Sequence, residues 1–102
     1  ADSTDPKVVS FVNSYKNKYN STPVSFAALG YDSMYIIKDA IVNAGSTDAS
    51  AVRDAVEKTN GAYVTGKLTF DAKRNPVKSA VMMEIVKAEG KLTTVYRATV
   101  NP

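Results

Sequence analysis

Residues 30–45 read GYDSMYIIKDAIVNAG, and this stretch decides how the chain can fold. Its spacing predicts a helix over about Tyr31–Ala44, with a turn at Gly30 and with Gly45 as the residue that ends the helix. Polar side chains occupy only a narrow stripe of that helix, namely Asp32, Lys38, Asp39 and Asn43. The rest of its circumference is apolar, so the helix has to be covered on more than one side.

Two further helices are predicted, one on each side of this stretch. Asp5 and Pro6 open the first, over about residues 6–19, because Asp is a good N-cap and Pro fits the first helical position. Apolar side chains recur there at three- and four-residue spacing, as on one face of a helix. Asp48 caps the third helix, over about residues 49–59, which has apolar residues on one side and charges on the other.

The rest of the chain predicts short strands and turns. Val24–Ala28 is expected to be a loop or one short strand, and Lys67–Phe70 alternates polar and apolar residues as a strand does. The strands Ala80–Lys87 and Leu92–Val100 flank Glu89-Gly90, which fits a two-residue hairpin loop. In this register Val81, Met83 and Ile85 lie across from Ala98, Tyr96 and Thr94, which gives the hairpin one apolar face. The expected class is therefore mixed α/β, three helices followed by a short strand and a C-terminal β-hairpin.

The composition argues against enzyme chemistry. The chain has 102 residues, of which 44% are hydrophobic and 23% charged, as in one ordinary globular domain. It contains neither Cys nor His, which removes thiol nucleophiles, the commonest general base and the commonest metal ligand. Its carboxylates form no catalytic pair, and Asp5, Asp32 and Asp48 are expected at helix starts, where they favour the helix dipole. We therefore expect no catalytic residue, no metal site and no cofactor.

Two motifs suggest other functions only weakly. GAYVTGK, residues 61–67, fits the first part of a phosphate-binding loop, but Leu68 stands where that motif needs Ser or Thr. The stretch also follows a helix and opens a strand, so a turn is expected instead. Tyr15–Tyr19 alternates aromatic and basic residues as in single-stranded nucleic-acid binders, yet both tyrosines share the apolar side of the first helix. With a net charge of only +3, we expect no nucleic-acid partner.

Phe26 stands apart as a candidate binding residue. It is an aromatic residue in the predicted linker between two helices, and it fits neither helical pattern. Aromatic residues on loops often take part in binding, although plugging the interface between the two helices is an alternative role for this one.

An ordered series of local patterns resembles one family, the substrate-binding proteins of branched-chain amino acid ABC transporters. The series comprises Asp5–Val8, Phe11-Val12, Tyr15-Lys16, Lys18-Tyr19, Pro23, Phe26–Asp32, Ala40-Ile41, Ala44–Ser46, Asp48, Val52–Ala55, Gly66–Asp71, Asn75–Lys78 and Val100–Pro102. The similarity extends over essentially the whole chain and rests on the order and spacing of the patterns. One departure is Arg74-Asn75, where many relatives have Gly-Asn, so the turn here is expected to be less tight.

The resemblance implies a partial type I periplasmic-binding-protein fold. Such proteins have two α/β lobes that close on a ligand around three crossover strands, and they are several hundred residues long. Residues 1–76 would be the C-terminal section of lobe I, and residues 77–102 the third crossover and a lobe II hairpin. By position Phe26 matches the aromatic residue that packs on the amino-acid ligand, with Tyr31 nearby. Pro76, Val77 and Lys78 would lie at the hinge.

The function that the resemblance implies is solute binding outside the cytoplasm. The intact protein, in the periplasm or as a cell-surface lipoprotein, would capture a branched-chain amino acid and present it to a membrane permease. A self-standing interaction or sensory module that reuses this fold section is the alternative. Since the hairpin Val81–Val100 would lack the lobe it packs on, we also expect this chain alone to form an intertwined homodimer.

Overall fold

A computed structural model describes residues 3–102 as a mixed α/β chain. The helices are α1 (Pro6–Tyr19), α2 (Ser25–Ala44) and α3 (Ala49–Glu57), and the strands are β1 (Asn60–Tyr63), β2 (Gly66–Phe70), β3 (Pro76–Val77), β4 (Ala80–Ala88) and β5 (Lys91–Val100). β1, β2 and β3 form one antiparallel sheet in that order, and β4 and β5 form a separate hairpin. The predicted class, with helices first and a C-terminal hairpin, is confirmed.

Carboxylates begin two of the three helices, as predicted. Asp5 precedes α1, and its side chain accepts a hydrogen bond from the backbone N–H of Lys7 at 2.8 Å. Asp48 precedes α3 and accepts from the N–H groups of Ser50 and Ala51 at 3.1 and 3.0 Å. Each bond satisfies an N–H group that the first turn of a helix leaves without a partner.

Helix α2 begins six residues earlier than predicted. Val24–Ala28 is neither a loop nor a strand, because α2 starts at Ser25 and Gly30 lies inside it. Ala27, Ala28 and Leu29 are strong helix formers, and together they outweigh the cost of about 1 kcal/mol for a helical glycine. The prediction of a turn at Gly30 is therefore wrong.

The longer α2 changes the position of two candidate residues. Phe26 lies in the first turn of the helix and not in a linker, and Asp32 lies in the middle of the helix and not at its start. Both predictions were wrong because the continuous apolar pattern begins only at Tyr31, whereas the helix begins at Ser25.

The three-stranded sheet contains two strands that the sequence did not predict. β1 pairs with β2 from Asn60↔Thr69 to Tyr63↔Gly66, so residues 61–67 form a tight hairpin, as the argument against a phosphate loop required. β3 adds only two residues, with Phe70↔Pro76 and Thr69↔Val77 as partners. β1 reads Asn-Gly-Ala-Tyr, which is poor in strand formers, and β3 is too short to show a period.

The C-terminal hairpin has the predicted loop and a bulge that was not predicted. Met83↔Tyr96 and Ile85↔Thr94 pair as expected, but Val81 lies across from Thr99 and not Ala98. The register shifts between Met82 and Met83, so one residue of β5 is left over. Tyr96 and Thr99 consequently share a face, and their hydroxyl oxygens lie 3.0 Å apart.

Little of the chain is buried. Phe11, Val12, Ala40 and Leu68 are the buried apolar residues of the described chain, and Asp32 is the buried charged one. The accessible surface is 7792 Å², whereas a compact protein of this mass exposes about 5,600 Å². The radius of gyration is 16.5 Å, against about 13 Å for a compact domain of 100 residues. Large apolar faces are therefore open, including that of α2.

A helix that crosses a membrane has to be long and apolar. Across residues 3–102, none of the helices combines the length and the apolar character that a crossing requires.

Candidate functional site

Phe26 is the most exposed large apolar side chain of α2. It lies at the start of the helix with 81% of its surface accessible. Leu29 and Ile37 are also exposed, and at 100° per residue they lie within about 60° of Phe26 around the helix axis. This side of α2 is an open apolar stripe that begins at Phe26, and a wall of this kind suits an apolar ligand or another part of a larger protein.

Tyr31 faces away from that stripe and joins α2 to α1. Its ring centroid lies 5.0 Å from that of Phe11 and 4.8 Å from that of Tyr35. Its hydroxyl donates to the Tyr35 hydroxyl at 3.2 Å, and that hydrogen bond, with some burial, raises the pKa of Tyr31. Five residues of helix turn the chain by about 140°, so Phe26 and Tyr31 are not brought together.

The predicted hinge residues divide between a strand and a short link. Pro76 and Val77 form β3 and pair with β2, while Lys78 and Ser79 connect β3 to β4. The half-buried Lys78 donates a hydrogen bond from Nζ to the Thr65 hydroxyl in the β1–β2 turn. Two residues, Lys78 and Ser79, therefore separate the β4–β5 hairpin from the rest of the molecule.

Asp32 is a buried residue whose contacts sequence reasoning missed. Only 4% of it is exposed, and its two carboxylate oxygens accept from the backbone N–H groups of Val64 and Thr65 at 2.9 and 2.8 Å. A buried carboxylate needs such donors, because its desolvation is otherwise costly. The available signal was an acidic residue on a helix that is apolar almost all round.

The β1–β2 hairpin is held to α1 and α2 by further contacts. Lys7 of α1 donates from Nζ to the carbonyl oxygen of Ala62 at 2.7 Å. The Tyr63 hydroxyl lies 3.5 Å from an oxygen of Asp39. Burial is the larger cause that raises the pKa of Tyr63, and the nearby negative charge of Asp39 is the second. A groove of about 390 Å³ lies between α1, α2 and this hairpin. These contacts fix the hairpin on the helices.

The site offers an apolar wall and no reactive constellation. No cluster of three His, Cys, Asp or Glu side chains that could hold a metal occurs in the part of the chain that the structure describes. The exposed stripe on α2 consists of the apolar side chains of Phe26, Leu29 and Ile37. Such an arrangement can exclude water from an apolar group but cannot neutralise a charged one.

Known proteins of similar sequence and structure point to one family. A model described as periplasmic binding protein matches residues 1–91. Two solved structures are similar in sequence and fold. The leucine-binding protein LivK of Thermotoga maritima is 31% identical, with a TM-score of 0.78, over 99% of this chain and 28% of that one. A Rhodospirillum rubrum protein assigned as a branched-chain amino acid ABC transporter is 34% identical, with a TM-score of 0.70, over 92% and 28%.

A third solved structure shares the fold alone. It is the solute-binding protein of an ABC transporter from R. palustris in complex with benzoate, 22% identical, with a TM-score of 0.76, over 99% of this chain and 29% of that one. No curated protein sequence matches the chain at a significant level. In all three structural comparisons the chain spans less than a third of the related protein.

These findings confirm the resemblance and the partial binding-protein fold. Periplasmic binding proteins of this family are solute binders and not enzymes, in agreement with the expectation from the residue inventory. Membership also implies a place of action outside the cytoplasm. With the family model matching nine-tenths of its length, this chain belongs to the periplasmic binding protein family.

Proposed function

We propose that the longer protein carrying this sequence captures a branched-chain amino acid outside the cytoplasm and delivers it to an ABC permease. The observation that supports this most is the match of nearly the whole chain, at 31% and 34% identity, to two proteins described by leucine and by branched-chain amino acid transport. Residues 1–76 then belong to lobe I, and residues 77–102 supply the third crossover and a lobe II hairpin. Pro76, Val77 and Lys78 lie at the hinge, where closure of the lobes traps the ligand.

In this proposal Phe26 is the apolar wall of the ligand pocket. Its exposure at the start of α2 leaves the ring free to contact the side chain of leucine, isoleucine or valine. Tyr31 contributes indirectly, without contacting the ligand. Its ring packs α2 against Phe11 of α1, and its hydroxyl donates to Tyr35. The groups that bind the ligand's amino and carboxylate charges come from parts of the protein outside this sequence.

The test is isothermal calorimetry on the longer protein with leucine, isoleucine, valine and benzoate. Burying a phenylalanine is worth about 1.5–3 kcal/mol, so Phe26→Ala should weaken leucine binding about ten- to hundredfold. Met34→Ala is the matched control, since Met34 is an exposed apolar residue of the same helix that lies about 80° from Phe26. Its affinity for leucine should be unchanged.

Three outcomes would count against the proposal. Binding of benzoate without binding of any branched-chain amino acid would contradict the proposed substrate class. Micromolar leucine binding by the 102-residue chain alone would show that the charge-binding groups lie within it, contrary to what we propose. Absence of any solute binding by the longer protein would favour the alternative, a self-standing interaction or sensory module.

We further propose that the 102-residue chain, when it is alone, forms a homodimer through its hairpin. Five large side chains are exposed on one face of β4–β5, namely Val81, Met83, Ile85, Leu92 and Tyr96. The chain exposes about 2,200 Å² more than a compact protein of its mass, and a standard interface needs only about 800 Å² from each partner. The segment Asp71–Lys78 is the hinge at which the hairpins exchange between the two chains.

A further inference from the structure

The β1–β2 turn is held by a single buried carboxylate. Asp32 accepts from two successive backbone N–H groups, Val64 through Oδ1 at 2.9 Å and Thr65 through Oδ2 at 2.8 Å. Because the two bonds use both oxygens and two neighbouring peptide units, they fix the orientation of the turn as well as its distance from α2. An Asn side chain has one acceptor oxygen and an NH₂ group that faces the second N–H, so it could accept only one of the two bonds.

The same turn contacts the segment that leads to the hairpin. The N–H group of Thr65 donates to the Asp32 carboxylate, and the Thr65 hydroxyl accepts from Nζ of Lys78. Lys78 directly follows β3, and only Lys78 and Ser79 separate β3 from β4. A contact at Lys78 therefore acts on the direction in which β4–β5 leaves the rest of the molecule.

We propose that Asp32 is a positioning residue that, through Thr65, holds Lys78 and sets the orientation of the β4–β5 hairpin relative to the helices. The effect that this positioning would have on ligand binding rests on the proposed function. If residues 76–80 form a crossover between two lobes, the Asp32–Thr65–Lys78 connection biases the angle between those lobes without touching the ligand. Asp32 lies about 120° around α2 from Phe26, so the two side chains leave the helix in different directions.

The orientation can be measured in the 102-residue chain carrying Met83→Asp, a substitution that places a charge on the apolar face of the hairpin and prevents pairing through it. The chain has no cysteine of its own. Ser50→Cys on α3 and Lys91→Cys at the tip of the hairpin, both exposed positions, take spin labels. Dipolar electron resonance on labelled chain, diluted with excess unlabelled chain to suppress distances between molecules, gives the distribution of distances between the labels. Thr65→Val and Lys78→Met each remove the Thr65–Lys78 hydrogen bond while they keep the bulk of the side chain, and each should broaden or displace this distribution.

Amide exchange tests the first step of the connection separately. Asp32→Asn should speed exchange about ten- to hundredfold at whichever of the Val64 and Thr65 amides faces the new NH₂ group, the loss expected for a hydrogen bond to a charged acceptor. Asp32→Asn should also broaden the distance distribution. Asp54→Asn is the control, since Asp54 is an exposed carboxylate of α3 that pairs with Arg53; it should leave both measurements unchanged.

The design separates positioning from mere stability. Thr65→Val should leave the thermal unfolding of the helices unchanged while it alters the distance distribution, which a purely structural role would not do. An unaltered distribution in Thr65→Val and Lys78→Met overturns the proposal, even if Asp32→Asn fails to fold. The result does not depend on any ligand, so it can succeed or fail independently of the leucine titrations.

Discussion

At the scale of single residues, Asp71 controls the turn between β2 and β3. Its Oδ1 accepts from the backbone N–H groups of Lys73 and Asn75, both at 2.8 Å. Its Oδ2 accepts from the side-chain amide of Asn75 at 3.1 Å. These bonds, first those from Asn75, lower the pKa of Asp71 below its ordinary value. A carboxylate of lowered pKa stabilises the fold above the unfolded value of about 3.9, and this contribution is lost as the pH falls through the folded pKa.

We therefore expect the turn at Asp71 to loosen only in acid. In a carbon-detected NMR titration, the Asp71 carboxyl should titrate below about 3.9, and the amide shifts of Lys73 and Asn75 should follow the same curve. Asp71→Asn should remove this dependence from both amides. An Asp71 that titrates at or above its ordinary value would contradict the assignment.

The same turn contains a residue whose backbone conformation is one that favours glycine. Arg74 stands where the family resemblance leads us to expect Gly, and it adopts the left-handed conformation with φ 66°. The turn nevertheless closes, with the Arg74 N–H 2.9 Å from the Asp71 carbonyl oxygen. The Asp71 carboxylate adds bonds that hold the backbone in place. The looser turn expected from the resemblance stays a prediction.

At the scale of elements, Gly30 and Gly45 are expected to respond oppositely to the same substitution. Gly30 lies inside α2 at an ordinary helical φ, and an added Cβ would meet nothing within 4 Å. Gly30→Ala should therefore stabilise the chain by about 0.5–1 kcal/mol. Gly45 ends the helix with φ 61°, where Gly45→Ala should destabilise it by about 1–2 kcal/mol.

Thermal unfolding followed by circular dichroism distinguishes these two variants. The melting temperature should rise for Gly30→Ala and fall for Gly45→Ala. A fall for Gly30→Ala would mean that this glycine is needed as the turn that the sequence first suggested, and not as a helical residue.

The elements also show which features a sequence can predict. Caps at Asp5 and Asp48 and the alternation in β4 and β5 are local signals, and the corresponding elements were predicted nearly to their ends. β1 and β3 gain their pairing from β2, so their own residues carry little information. The role of Asp32 depends on a turn that lies 32 residues further along the chain, and no local pattern could reveal that contact.

At the scale of the whole molecule, the dominant feature is that large apolar faces of α2 and of the β4–β5 hairpin are exposed. The sequence predicted a helix that is apolar nearly all round with too little sheet to cover it, and α2 does expose Met34, Ile37 and Val42. Since the chain spans less than a third of its solved relatives, its apolar faces suit contact with further chain. The family resemblance marks Phe26 as a ligand contact, and this stays a prediction. The polar groups of such a pocket could not be predicted, because no residue of this sequence was identified that would neutralise the charges of an amino acid.

The uncovered hairpin leads to the prediction that concerns the molecule as a whole. Full burial of an apolar side chain is worth about 1.5–3 kcal/mol. Even half of that, summed over the five exposed side chains of the hairpin face, is comparable with the 5–15 kcal/mol that stabilises a typical domain. The free edges of β4 and β5 add a second reason to pair. We expect light scattering at tens of micromolar to give twice the 10.9 kDa mass of the chain.

Two neighbouring methionines provide the matched test. Met83 and Met82 are 51% and 53% exposed and lie on opposite faces of the hairpin. Met83→Asp, alone or with Ile85→Asp, places a charge in the proposed interface and should give a monomer, because an unpaired buried charge is costly. Met82→Asp places the same charge on the other face and should leave the dimer intact. A wild-type chain that is monomeric, with sharp and dispersed amide signals from residues 81–100, would show that the hairpin is stable without a partner and that its apolar face does not drive association.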